Sequence, residues 1–317
     1  MEENIYERKL LQVQAEVNKI VKGKQDIVEK ILAAIMSGGH ILMEDIPGVG
    51  KTTLATTFAK ALSMDYKRVQ FTPDVLPSDI LGFSMYNNKT QEFEYRPGSV
   101  FCNLFLADEI NRTSPKTQSA LLEVMEENHA TVEGVTRPLP DPFVVIATEN
   151  PSGSSGTQML PESQLDRFMI CVSMGYPSHE DAVAILKGEQ ERVHYDVKSV
   201  ITDEDLRIIR KATDKIFVHD NIYEYIVNIV EATRSNPIFE MGASPRGTIA
   251  LLRMSRAMAM LAGRDYVIAE DVQKVAKDVL CHRVKISSRG RAEGMTKEKA
   301  VYRLLHEIPA PGIKNLR

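Results

Sequence analysis

Ile41-Leu42-Met43-Glu44-Asp45-Ile46-Pro47-Gly48-Val49-Gly50-Lys51-Thr52-Thr53 decides the reading of this chain. An apolar run enters a tight turn with two glycines, and the turn ends in Gly-Lys-Thr before a helical pattern. Such a turn points successive backbone N–H groups into one concavity and opens onto a helix N-terminus, and both features favour an anion. Lys51 adds a point charge for β- and γ-phosphates, and the Thr52 hydroxyl suits Mg²⁺. Pro47, Gly48, Val49, Gly50, Lys51, Thr52 and Thr53 therefore predict a nucleoside triphosphate site. The full pattern asks for glycine where this chain has Asp45. That glycine lets the chain bend as it leaves the strand. Asp enters bridge and left-handed conformations more readily than most residues, so Asp45 reads as a tolerated substitution. The competing reading is a Gly-rich turn that ends in Gly-Lys-Thr by chance, and the strand ends further along the chain weigh against it.

The chain has 317 residues, enough for two domains. Its net charge is 39 − 43 = −4, which argues against nucleic acid as an obligatory partner, because such binding rests on many phosphate neutralisations. A local basic groove stays open. Cys102, Cys171 and Cys281 lie far apart with no metal-ligand or redox spacing, and their odd count fits a reducing compartment. The N-terminus Met1-Glu2-Glu3-Asn4 lacks the apolar core of a signal peptide, and no run approaches the ~18 apolar residues of a membrane span. A cytoplasmic protein is expected.

Helical periodicity runs from about Tyr6 to Ser37, broken near Gly23. Apolar runs at 41–43, 66–71, 104–107, 143–147 and 168–174 alternate with helices or loops. Runs without alternation predict strands buried on both faces, and the βα rhythm predicts a parallel sheet with functional groups beyond its carboxyl ends. From about Ser178 onward only helical patterns appear. The fold class is thus α/β with a parallel sheet, followed by a small all-helical domain: residues 1–190 as the core and 191–317 as the second domain. Residues 82–97 and 130–140 interrupt the rhythm as two hairpins.

Leu104-Phe105-Leu106-Ala107-Asp108-Glu109 is an apolar strand ending in two acids. Asp108 is placed to hold Mg²⁺ and Glu109 to polarise an attacking water; the bland alternative is an exposed acidic turn. Phe143 to Asn150 is a second such strand, and Asn150 is placed for a γ-phosphate or lytic water, although Asn before Pro is commonly a turn former. Arg167 reads either as a surface ion pair with Asp166 or Glu162 or as an arginine offered to a neighbour's γ-phosphate. Ser244 and Pro245 suit the N-cap and first position of a helix. Arg246 then stands in the first turn, where a cation opposes the helix dipole, which hints at a bound phosphate.

The order of these motifs resembles the AAA+ ATPases, and within them the MoxR family. The specific matches are Gln70-Phe71-Thr72-Pro73-Asp74-Val75-Leu76-Pro77-Ser78-Asp79-Ile80-Leu81-Gly82, Phe93-Glu94-Tyr95-Arg96-Pro97-Gly98, the run from Ala107-Asp108-Glu109-Ile110-Asn111-Arg112 to Gln118, and Gly242-Ala243-Ser244-Pro245-Arg246. The resemblance covers nearly the whole chain and implies a P-loop NTPase core of three layers with a helical lid. It implies Lys51 and Thr52 in Walker A, Asp108 and Glu109 in Walker B, Asn150 as sensor 1, Arg167 as arginine finger, Arg246 as sensor 2, and Val21 and Gly23 at adenine. Residues 82–97 then match the family's helix-2 insertion. ATP and Mg²⁺ are the implied ligands. The implied assembly is a homo-oligomeric ring, a hexamer, that remodels or matures protein clients, with partners carrying a von Willebrand factor A domain. Two other classes stay open. One is a nucleic-acid motor or loader, which the basic residues Arg283, Lys285, Arg289, Arg291, Lys297, Lys299 and Arg303 favour slightly. The other is a non-catalytic module gated by nucleotide.

Overall fold

The computed structural model describes residues 3–150, 159–191 and 196–312. In chain order its helices are α1 (Glu3–Ile20), α2 (Gln25–Met36), α3 (Lys51–Ala61), α4 (Pro77–Leu81), α5 (Pro115–Glu127), α6 (Glu162–Leu165), α7 (His179–Glu191), α8 (Asp203–Asp214), α9 (Asp220–Ser235), α10 (Pro245–Leu261), α11 (Ala269–Leu280), α12 (Ser288–Ala292) and α13 (Lys297–Glu307). Its strands are β1 (Ile41–Glu44), β2 (Tyr66–Gln70), β3 (Gly82–Asn87), β4 (Glu92–Pro97), β5 (Leu104–Asp108), β6 (His129–Val132), β7 (Val135–Pro138), β8 (Val144–Glu149), β9 (Ile170–Val172), β10 (Phe239–Met241) and β11 (Lys285–Ile286).

Five strands form a parallel sheet in the order β2-β5-β8-β1-β9. Successive side chains of a strand face opposite sides, and the apolar runs exploit this to join two cores. Ile41 and Met43 enter one core with Leu54 and Phe58 of α3, whereas Leu42 enters the other with Leu121 and Leu122 of α5. This is the α/β/α sandwich that unbroken apolar strands imply. β2 is the exception. It is an edge strand, and its residues are half-buried or exposed, so the expectation of burial on both faces does not extend to it. Parallel register aligns Met43 with Thr148 and Gln70 with Asp108, so the carboxyl ends gather at one edge.

Both predicted hairpins form. β3 pairs with β4, and β6 pairs with β7 through Glu133 and Gly134, both at positive φ. The pairs of positive-φ residues match the twist of a tight hairpin. Tyr95 of β4 lies under the Arg137 guanidinium of β7 at 3.7 Å, so the two hairpins pack together.

The lid is helical with one addition, the antiparallel ribbon β10–β11. This ribbon corrects the all-helical expectation; strands of three and two residues are too short to show a period. The predicted boundary near residue 190 adjoins residues 192–195, which lie outside the described residues. The lid is fused to the core rather than tethered to it. Ala250, Leu251, Met254 and Met258 share the first core with Ile31 and Ile35 of α2. Lys30 of α2 pairs with buried Asp278 of α11 at 2.8 Å, and Arg210 donates to Ile35 O at 3.0 Å.

Candidate nucleotide site

β1 delivers the chain into the Asp45–Gly50 turn, and α3 begins at Lys51. Gly48 and Gly50 sit at φ 85° and 93°, which only glycine adopts without strain. Gly50 is the N-cap of α3 and offers no side-chain cap, and the first turn carries no acid. Its N–H groups therefore lack a side-chain acceptor, the condition under which a helix N-terminus takes an anion. Lys51 is nearly buried, and its ammonium donates to Asp45 O at 2.9 Å. Burial pulls its pKa below the usual lysine range, while Asp45, Asp108 and Glu109 pull it back up. No group of three or more His, Cys, Asp or Glu among the described residues could hold a metal ion by itself; the Thr52 hydroxyl and the Asp108 carboxylate are the hard oxygen donors here that suit Mg²⁺.

Asp45 is more than a tolerated bend residue. Its carboxylate is buried and accepts from Ser173 Oγ at 2.7 Å, Met174 N at 2.6 Å and Gly175 N at 2.9 Å. Its own N–H continues the sheet ladder to Glu149 O at 3.1 Å. Asp45 thus ties the loop to the chain leaving β9. That chain borders the predicted adenine residues as well. Lys24 donates to Tyr176 O at 2.9 Å, and Asp181 of α7 packs on Gly23, which sits at φ 68°. Val21 is buried in the first core.

At the end of β5, Asp108 accepts from Thr148 Oγ1 at 2.6 Å and from Arg68 of β2 through Nε at 3.2 Å and Nη2 at 2.6 Å. Glu109 takes a left-handed conformation, φ 57°, with its N–H on Thr148 Oγ1 at 2.9 Å and its carboxylate paired with Arg112 at 2.7 Å. Each acid is therefore capped by an arginine of its own chain. Asn150 follows β8, and fully buried Asn111 donates to Asn150 O at 3.2 Å. Sequence reasoning missed Arg68, Arg112 and Thr148. Only Thr148 had a signal, standing at the polar end of the apolar run 143–147, two residues before Asn150.

Arg167 and Arg246 come together elsewhere. Glu126, in the last turn of α5, pairs one oxygen with Arg167 Nη2 at 3.2 Å and accepts from Arg246 Nη2 with the other. The predicted alternatives Asp166 and Glu162 are not the partners of Arg167. Asp166 instead accepts from Ser244 Oγ at 2.7 Å and from Arg283 Nε at 2.9 Å. Ser244 also caps α10 by accepting from Arg246 N at 3.1 Å. Buried Arg283 further donates to Met169 O at 3.1 Å and to Asp166 O at 3.1 Å. One network of ion pairs therefore locks the turn carrying Arg167 to the helix carrying Arg246. Together with Asp166, Arg253 and Arg283 they line a cleft of about 310 Å³, and no residue of 45–53, nor Asp108 or Glu109, lines it among the described residues.

Four of the seven basic residues of the run 283–303 are taken up within the chain. Arg283 is buried, Lys285 pairs with Glu240, Arg289 with Glu293 and Arg303 with Glu307. His40 and His219 are structural: His40 bridges Met125 O and Val145 N, with burial holding its pKa down at about 4, and His219 caps α9. Glu149 is a buried carboxyl whose oxygens make no hydrogen bond among the described residues. Burial and then the adjacent Glu44 push its pKa up to about 7, with only the nearby Leu160 amide opposing.

A family model described as the ATPase family associated with various cellular activities (AAA) matches residues 40–170, and one for the AAA lid domain matches residues 231–304. The protein YeaC of Bacillus subtilis, itself uncharacterised, is 48% identical over 93% of this chain and 92% of its own. The chaperone MoxR1 of Mycobacterium tuberculosis is 38% identical over 94% of this chain and 81% of its own. The solved structure of a protein from Cytophaga hutchinsonii assigned as an ATPase superposes with a TM-score of 0.90 at 36% identity, covering 98% of this chain and 97% of that one. With these likenesses spanning core and lid together, the chain belongs to the MoxR family of AAA+ ATPases.

Proposed function

We propose that the chain hydrolyses Mg-ATP at a site shared between two copies of itself and uses the cycle to remodel or mature partner proteins. The observation that carries this reading is the separation of the two halves. The loop and its acids lie at one edge of the sheet, while Arg167 and Arg246 share Glu126 in a cleft that no loop residue lines. Arginines that stabilise phosphoryl transfer must reach the γ-phosphate, and a second copy supplies the missing half in a closed ring.

In this reading Lys51 and the amides of 47–53 hold the phosphates, with adenine against Val21 and Gly23. Thr52 and Asp108 would hold Mg²⁺, which would supply neutralisation of phosphate charge, and Asp108 would exchange its pairing with Arg68 for that role. Glu109 leaves Arg112 to take a proton from the attacking water, and Asn150 orients that water. Arg167 and Arg246 of the neighbour stabilise the developing charge. A hexamer, a partner with a von Willebrand factor A domain and a cytoplasmic setting complete the proposal on the family likeness. No helix among the described residues is long and apolar enough to cross a membrane, and the three cysteines are free. The ion pairs of Lys285, Arg289 and Arg303 weaken the feature that favoured a nucleic-acid motor.

Phosphate release by Arg167→Ala, measured beside its ATP binding, tests the reading. Retained binding with turnover down ~10³-fold supports it; undiminished turnover sinks it.

A further inference from the structure

Glu126 is the only carboxylate that touches both Arg167 and Arg246 among the described residues. Two guanidiniums drawn this close repel each other, and an anion between them is what makes the arrangement stable. The chain provides that anion from α5, an element that carries no other part of the proposed chemistry. The fit is incomplete in an informative way. Arg167 Nη1 donates to Leu122 O at 2.6 Å, but its Nε is buried and finds no acceptor. A carboxylate offers two oxygens to this pair, whereas a terminal phosphate offers three. Water screens an ion pair as exposed as this one, and the Glu126 side chain is 37% exposed, so it can leave for water at small cost.

We propose that Glu126 is a positioning residue that occupies, in the unassembled chain, the seat taken by the γ-phosphate of a neighbouring copy. It holds the two arginines as a pair and is exchanged for the phosphate when the copies dock. This deepens the shared-site reading and rests on it. The exchange sets a threshold. Docking must displace one carboxylate per interface, so ATP has to outcompete Glu126 for the arginines. Removing its charge while keeping its shape lowers that threshold.

The test uses the full chain and the variant Glu126→Gln. Assembly is followed by sedimentation against Mg-ATPγS concentration, with steady-state kcat and KM for ATP alongside. The expected result is a midpoint for nucleotide-driven assembly ~3–10-fold lower than wild type, from loss of about 1 kcal/mol of competition. The lower midpoint should vanish when Arg167→Ala and Arg246→Ala are added. Glu126→Ala, which also removes the packing of the side chain, should shift the midpoint the same way. A merely structural Glu126 gives the opposite, an unchanged or higher midpoint, and that result overturns the proposal. The two levels separate cleanly. If Arg167→Ala alone keeps full turnover, the shared-site reading falls. If Arg167→Ala abolishes turnover but Glu126→Gln keeps the wild-type midpoint, only the role of Glu126 falls.

Discussion

The loop half and the arginine half of this molecule are built on different principles. The loop half is local and held ready. Its glycines, Lys51 and strand-end acids come from the exits of β1 and β5, and Arg68 and Arg112 of the same chain cap Asp108 and Glu109. The arginine half is long-range and welded. Residues 126, 166–167, 244–246 and 283 meet through Glu126 and Asp166, and they bind the lid to the core. A site that needs both halves therefore joins acids capped by their own chain's arginines to an arginine pair that straddles the core, through Arg167, and the lid, through Arg246. Lid movement and Arg246 movement become a single event.

The largest expected effects break the comparison at its chemistry. Glu109→Gln should bind ATP and hydrolyse it ~10³-fold more slowly, so that nucleotide is recovered intact after gel filtration. Rapid hydrolysis by this variant removes Glu109 as the group that activates water. Arg167→Ala should lose a comparable factor from the other half with ATP affinity kept within about threefold, because the interaction is realised in the transition state.

A smaller effect sharpens the comparison at Asp45. Asp45→Gly restores the glycine of the motif, yet it strips three hydrogen bonds from residues 173–175. Leaving two of those amides without their acceptor should cost about 2–3 kcal/mol, read as a lower midpoint in chemical denaturation. Wild-type stability would return Asp45 to a passive bend residue.

The smallest effect concerns pH and belongs to the loop half alone. Glu149, raised to about 7 by burial, binds its proton more tightly folded than unfolded. Its stabilising contribution is complete below the ordinary carboxyl range near 4.5 and is lost as pH rises through about 7. Glu149→Gln should therefore melt higher than wild type at pH 8, by about 1–2 kcal/mol, and lose that advantage near pH 4.5. An equal difference at both pH values contradicts the burial account. Arg283 stays charged throughout, since burial lowers its pKa only to about 10.

The same contrast explains what the sequence disclosed. The loop was legible because Gly48, Gly50 and Lys51 are contiguous and each has a stereochemical reason to be there. The acids were legible because a buried strand has no reason to end in Asp-Glu unless they face something. Asp45 was misread because its partners lie about 130 positions away. Glu126 carried no signal, standing among Glu123 and Glu127 on what reads as a solvated helix face. Arg68 was passed over because 66–71 was read as a strand buried on both faces, whereas β2 lies at the sheet edge, where a polar residue is tolerated.

The shared site is tested most directly by mixing two inactive chains. Lys51→Ala lacks the loop cation and Arg167→Ala lacks the finger, so each alone should release almost no phosphate. In an equimolar mixture that exchanges subunits, about a quarter of the interfaces join an intact loop to an intact arginine. The account predicts that turnover returns toward that fraction of wild type. A mixture as inactive as its components, with subunit exchange shown by mass, would place both halves within one chain and contradict it.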